Sequence, residues 1–107
     1  MGSRKGHDSM ITTQFQRDGA QVKVTFAVPA GKRRVAVAGD FNDWDATATP
    51  LRKRGDNRSA SVTLEPGRRC AFRYIDEDGR WFNDEHADEF EPNGFGDKNG
   101  VIVLRSP

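Results

Sequence analysis

The stretch Val22-Lys-Val-Thr-Phe-Ala-Val28 decides the fold class. Val22, Val24, Phe26 and Val28 alternate with Gln21, Lys23, Thr25 and Ala27. A period of two sends one set to a buried face and the other toward water, which is the signature of a half-buried strand. Pro29-Ala30-Gly31 ends it, and Asp18-Gly19 before it signals a hairpin back to a weaker strand over 11–17. The same reading continues along the chain. Residues 34–39, Arg-Val-Ala-Val-Ala-Gly, form a more buried strand because their neighbours are small rather than polar. Residues 51–54 allow a short strand, and Gly55-Asp56-Asn57 turns into 59–64, where Ala60, Val62 and Leu64 point inward. After Glu65-Pro66-Gly67, residues 69–76 put Cys70, Phe72 and Tyr74 on one face and Ala71, Arg73 and Ile75 on the other. Asp78-Gly79 starts a hairpin into 80–83, and 100–104 closes the domain. No helical period survives; only 84–90 leaves room for a helical turn or two. The expectation is an all-β sandwich of seven to eight short strands.

The chain has 107 residues, enough for one domain with one core. Residues 1–9 have no periodicity and read as a disordered tail or cloning scar, with Met10 a possible natural start and 10–107 a single domain. Seventeen Lys+Arg against 16 Asp+Glu leave a formal charge of +1, so no long-range field draws the chain to nucleic acid or a membrane. No apolar run approaches the roughly 18 residues of a span. The single cysteine, Cys70, excludes an internal disulfide and fits a reducing, cytoplasmic compartment. Its place in an apolar alternation reads as an inert core thiol.

Catalysis is not expected. No Gly-rich phosphate loop follows a strand, and no serine sits in a nucleophile elbow. His86 is the one histidine outside the tail. The acidic run 84–91 matches no metal-binding spacing and reads as a solvated loop. No cofactor and no metal are expected. The Asx residues of 40–45 organise a tight turn.

The two tryptophans are the informative exception. Trp44 ends Gly39-Asp-Phe-Asn-Asp-Trp44, and Trp81 follows Asp76-Glu-Asp-Gly-Arg80. Both are hemmed by charged and turn-forming residues, so both are expected near the surface, where an indole usually marks a binding face. Strand parity puts Arg73 on the outer face of its sheet, and Trp81, just past the next turn, folds back beside it. Taken singly, Arg73 also reads as a solvated strand residue, Trp44 as a cap on the sandwich edge and Trp81 as a hairpin staple. Together they make stacking plates with fixed donors between them. That surface suits a neutral polysaccharide, whose rings offer an apolar C–H face and a rim of hydroxyls. Single-stranded nucleic acid would need a basic groove, and Asp40, Asp43, Asp45, Asp76, Glu77 and Asp78 argue against one.

These residues resemble a known family. Val35 to Trp44, Leu64-Glu-Pro-Gly67, Phe72 to Trp81 and Asn93 to Val103 are similar, in order and at near-family spacing, to carbohydrate-binding module family 48. That family comprises the early-set, immunoglobulin-like domains of isoamylases and glycogen-branching enzymes, and the glycogen-binding domain of the AMP-activated protein kinase beta subunit. The resemblance implies an immunoglobulin-like early-set β-sandwich that binds α-1,4-glucan (glycogen, starch or maltooligosaccharide) without catalysis. By motif it implies contacts from Trp44, Arg73, Trp81 and Asn99, with support from Phe95 and Asp97. Arg73 stands where the family has lysine, and the turn before Trp81 is one residue longer. The alternatives are a regulatory module that turns the same face to a protein partner, or an accessory domain of a glycan-processing enzyme.

Overall fold

A computed structural model describes residues 9–16 and 20–105. It contains nine strands: β1 (Met10–Phe15), β2 (Val22–Pro29), β3 (Val35–Gly39), β4 (Arg52–Arg54), β5 (Asn57–Leu64), β6 (Arg69–Asp76), β7 (Trp81–Phe82), β8 (Glu89–Pro92) and β9 (Lys98–Val103). They form two antiparallel sheets, one in the order β1-β2-β5-β4 and the other in the order β3-β6-β9-β8 with β7 also paired to β6. The fold is an all-β sandwich, consistent with an immunoglobulin-like early-set domain. The turn expected at Asp18-Gly19 and the tail through residue 8 lie outside the described residues. Among the described residues, no helix is long and apolar enough to cross a membrane.

The period-two reading is realised in burial. Val22, Val24 and Phe26 are fully buried, as are Cys70, Phe72 and Tyr74 on the facing sheet. Phe26 joins the layers: its ring centroid lies 5.0 Å from that of Phe72, 5.8 Å from that of Phe41 and 6.4 Å from that of Tyr74. β3 is buried along its whole length, because its small residues are covered on both faces. Burial pushes the Cys70 thiol up from its ordinary value, so the inert state is favoured.

The segment 84–92 leaves the room for a helical turn unused and corrects the reading of the acidic run as a solvated loop. No helical turn forms at 84–90; the chain makes a tight turn and then the edge strand β8, which pairs with β9 through Glu89↔Val101 and Glu91↔Asn99. Asp84 organises that turn, its Oδ1 accepting from the His86 N–H at 2.8 Å while the Ala87 N–H donates to the Asp84 carbonyl at 3.2 Å. A side chain bonded to its own backbone competes with helix formation. Nor is the run uniformly solvated. Asp84 is fully buried and also accepts from the Tyr74 hydroxyl and the Ser9 hydroxyl, each at 2.8 Å. Burial first, then the Asp84 charge and hydrogen bond, hold the Tyr74 phenol well above its usual range.

Candidate functional site

The site grows from a change of partner along β6. On one edge, β6 pairs with β9 from Arg69↔Val103 to Phe72↔Gly100, and then with β7 from Tyr74↔Phe82 to Ile75↔Trp81. Arg73 sits at the handover, where β9 and β7 meet end to end. Asn83 bridges that gap. Its Oδ1 accepts from Arg73 Nε at 2.9 Å, and its Nδ2 donates to the Lys98 carbonyl at 3.1 Å. Arg73 Nη2 donates to Asp97 Oδ2 at 3.1 Å. The guanidinium therefore lies on the outer face, as parity requires, but it is not solvated: Arg73 is only 9% exposed. It is a fork fixed on two sides, with its remaining N–H groups unused by these bonds.

Trp44 arrives from the other edge of β6. Asn42 builds its loop: Oδ1 accepts from the Gly39 N–H at 3.0 Å, and Nδ2 donates to the Val37 carbonyl at 3.1 Å and to Thr49 Oγ1 at 3.0 Å. The Gly39 carbonyl accepts from both the Asn42 and the Trp44 N–H groups, at 3.1 and 2.8 Å. This closure forces Asp43 and Trp44 to positive φ, 59° and 57°. A left-handed backbone is costly for a bulky residue, about 1–2 kcal/mol, and such strain persists only where its surroundings over-determine it. Phe41, stacked on Phe26, anchors the loop in the core.

Gly39 is the hinge of this arrangement. A Cβ there would stand 2.5 Å from the Ala71 carbonyl and 2.6 Å from the Phe41 ring. Gly39→Ala is expected to cost about 1–3 kcal/mol, as overpacking against backbone does. It should also weaken ligand binding by shifting the loop that carries Trp44. Guanidinium denaturation and a ligand titration on the same variant check both parts.

Trp81 is aimed by the turn after β6. The Gly79 N–H donates to the Asp76 carbonyl at 2.9 Å, Gly79 takes φ 83°, and Asp76 Oδ1 accepts from the Asp78 and Arg80 N–H groups at 2.9 and 3.0 Å. This three-residue loop with glycine in the left-handed position matches the twist of the hairpin. The pair Ile75↔Trp81 then puts the indole on the Arg73 face.

Trp44, Arg73, Trp81, Phe95 and Asn99 line one open cleft of about 460 Å³, together with Asn93. The indoles are 37% and 40% exposed, and Phe95 is 91% exposed. Asp97 is not among the residues that line the cleft; it is the acceptor of the Arg73 guanidinium. Asn93 and Asn83 were not singled out in the sequence. Asn93 holds the β8–β9 loop, its Oδ1 accepting from the Phe95 N–H at 2.8 Å and the Asp97 N–H at 3.3 Å. Parity had a signal for Asn83, which lies two residues past Trp81 and so shares its face. Among the described residues, no group of His, Cys, Asp and Glu side chains is placed to hold a metal.

No family model matches the chain. It is 46% identical over an alignment of 63 residues to the 1,4-alpha-glucan branching enzyme GlgB 2 of Rhizobium etli, covering 52% of this chain and 8% of the enzyme. The 1,4-alpha-glucan branching enzyme GlgB 2 of Rhizobium johnstonii is 44% identical over the same length, with the same 52% and 8% coverage. Part of this chain is thus similar to part of glucan branching enzymes. The chain spans about 8% of the length of those relatives.

Proposed function

We propose that this domain is a non-catalytic module of the carbohydrate-binding family 48 type that binds α-1,4-glucan through the Trp44–Arg73–Trp81 cleft. The observation that carries this reading is the cleft itself. Two half-exposed indoles stand on either side of an arginine already fixed by Asn83 and Asp97. The indoles offer flat apolar faces to the C–H faces of glucose rings. Arg73, Asn93 and Asn99 offer donors and acceptors to the hydroxyl rim, and Phe95 adds an apolar edge. The donors are fixed before the ligand arrives, which lowers the ordering cost of binding. The partial similarity to branching enzymes supports glucan as the ligand and an accessory role beside a glycan-processing enzyme. The setting that goes with such a ligand and a buried free thiol is cytoplasmic.

The test is titration with maltoheptaose or β-cyclodextrin, followed by tryptophan fluorescence. A saturable change at millimolar sugar or below is expected. No saturable change, together with failed retention on insoluble starch and co-purification of a protein partner, would transfer the face to protein recognition.

The Arg73–Asp97 pair also sets a pH dependence. The Lys98 N–H first, then the Arg73 hydrogen bond and charge, hold the Asp97 carboxyl below its ordinary value. A carboxyl lowered in the folded state keeps its pair above the ordinary value and loses it as pH falls through the lowered one. Glucan affinity is therefore expected to stay level from pH 7 to about 5 and to decline only below about 4. Titrations across that range, with Asp97→Asn as the variant that cannot ionise, check it.

A further inference from the structure

The two sheets divide the charges unequally. β1, β2, β4 and β5 carry Lys23, Arg52, Lys53, Arg54 and Arg58 and no carboxylate, whereas Asp76, Glu89 and Glu91 all lie on the other sheet. The near-zero net charge conceals this segregation. The outer face of the cationic sheet bears a groove of about 500 Å³ that shares no lining residue with the tryptophan cleft and is lined among others by Lys23, Thr25, Arg52, Arg54, Ser59 and Ser61.

Register explains why these residues converge. Thr25 pairs with Ser61, and Arg52 pairs with Ser59, so a row of hydroxyls on β5 runs between β2 and β4. Thr25 Oγ1 and Ser61 Oγ lie 2.8 Å apart, each able to donate to the other, so both hydroxyls are held on the floor. Arg52 and Arg54 are two positions apart on one strand, so they project from the same face with Cα atoms roughly 6.6 Å apart. Among the described residues, the ion pairs engage Arg33, Arg68, Arg69 and Arg73, and leave Lys23, Arg52 and Arg54 without a carboxylate.

We propose that this groove binds a phosphomonoester carried on a saccharide. Paired guanidinium forks are suited to the bidentate binding of phosphate oxygens, and among the described residues no carboxylate is ion-paired with Arg52 or Arg54. The hydroxyl row suits the sugar beneath the phosphate, since each hydroxyl both donates and accepts. Other polyanions fit less well. The groove has no aromatic ring to stack a nucleobase, no apolar wedge for a membrane surface, and none of the aromatic anchors that centre a protein interface.

The test is an amide NMR titration with glucose 1-phosphate, with glucose and inorganic phosphate in parallel. Saturable shifts at Thr25, Arg52, Ser59 and Ser61 are expected with glucose 1-phosphate. Binding should weaken at least tenfold in Arg52→Gln and in Arg54→Gln, both exposed positions where folding is unaffected. Trp44→Ala should leave it unchanged. The sources are separated by phosphorylated and dephosphorylated amylopectin, offered to the double variant Trp44→Ala, Trp81→Ala so that both indoles of the other cleft are removed. Preference for the phosphorylated polymer assigns a polymer-borne phosphate; response to glucose 1-phosphate alone assigns a free sugar phosphate. Shifts confined to the tryptophan cleft, equal response to inorganic phosphate, or insensitivity to both arginine variants would overturn the proposal. The glucan reading of the other cleft stands or falls separately, on the maltoheptaose titration.

Discussion

Asp84→Ala is expected to lower the unfolding free energy by about 3 kcal/mol or more, which is a large share of a small domain's stability. Asp84 is fully buried and accepts three hydrogen bonds, from Tyr74 Oη, Ser9 Oγ and the His86 N–H, each at 2.8 Å. Hydrogen bonds to a charged acceptor contribute roughly 1.5–3 kcal/mol each, and their loss is worst where the donors stay buried. The Tyr74 ring is itself fully buried, so its hydroxyl would have no water to turn to. Asp84→Asn keeps the shape and part of the bonding, and should cost distinctly less. Urea unfolding of the three proteins decides the matter; equal stability of the alanine variant and the wild type would show that the carboxylate is dispensable. The effect should leave the emission of the exposed tryptophans unchanged in the folded state, because Asp84 does not line their cleft.

Trp44→Ala and Trp81→Ala are each expected to weaken maltoheptaose binding by about 30-fold, the equivalent of about 2 kcal/mol for loss of an aromatic anchor. Stability should change little, because the two rings remain 37% and 40% exposed in the folded protein. Trp44→Ala carries a further consequence: alanine inherits the strained φ of 57° without the ring that gives that strain a purpose. Isothermal titration with each variant checks the prediction, and the double variant reads out coupling between the rings. Unchanged affinity in both single variants would remove the cleft from glucan binding.

Strand parity made much of the site legible. Cys70, Phe72 and Tyr74 alternate with Ala71, Arg73 and Ile75, and that local pattern places Arg73 away from the core before any partner strand is known. Trp44 and Trp81 were legible because turn-forming and charged neighbours cannot bury an indole. Asp97 does not line the cleft but accepts from Arg73, a partnership between residues on different strands and loops that local alternation does not record. Asn93 carries no local signal of its own as a site residue, although its side chain ties the loop that carries Phe95. β8 was hidden because Glu89 to Pro92 is a short stretch inside an acidic run and ends in proline; the open edge of β9 supplies its backbone partners.

The sequence by itself determined the sandwich class, the inward and outward faces of its long strands, and the presence of surface indoles beside an arginine. Those properties follow from alternation and turn chemistry, which are local. Only the tertiary structure decided that Asp84 is buried, that β6 hands its edge from β9 to β7 at Arg73, and that Lys23 of β2 and Arg52 and Arg54 of β4 line one groove. Each of these depends on which distant strands pair and in what register, and chain-local periodicity carries no record of that pairing.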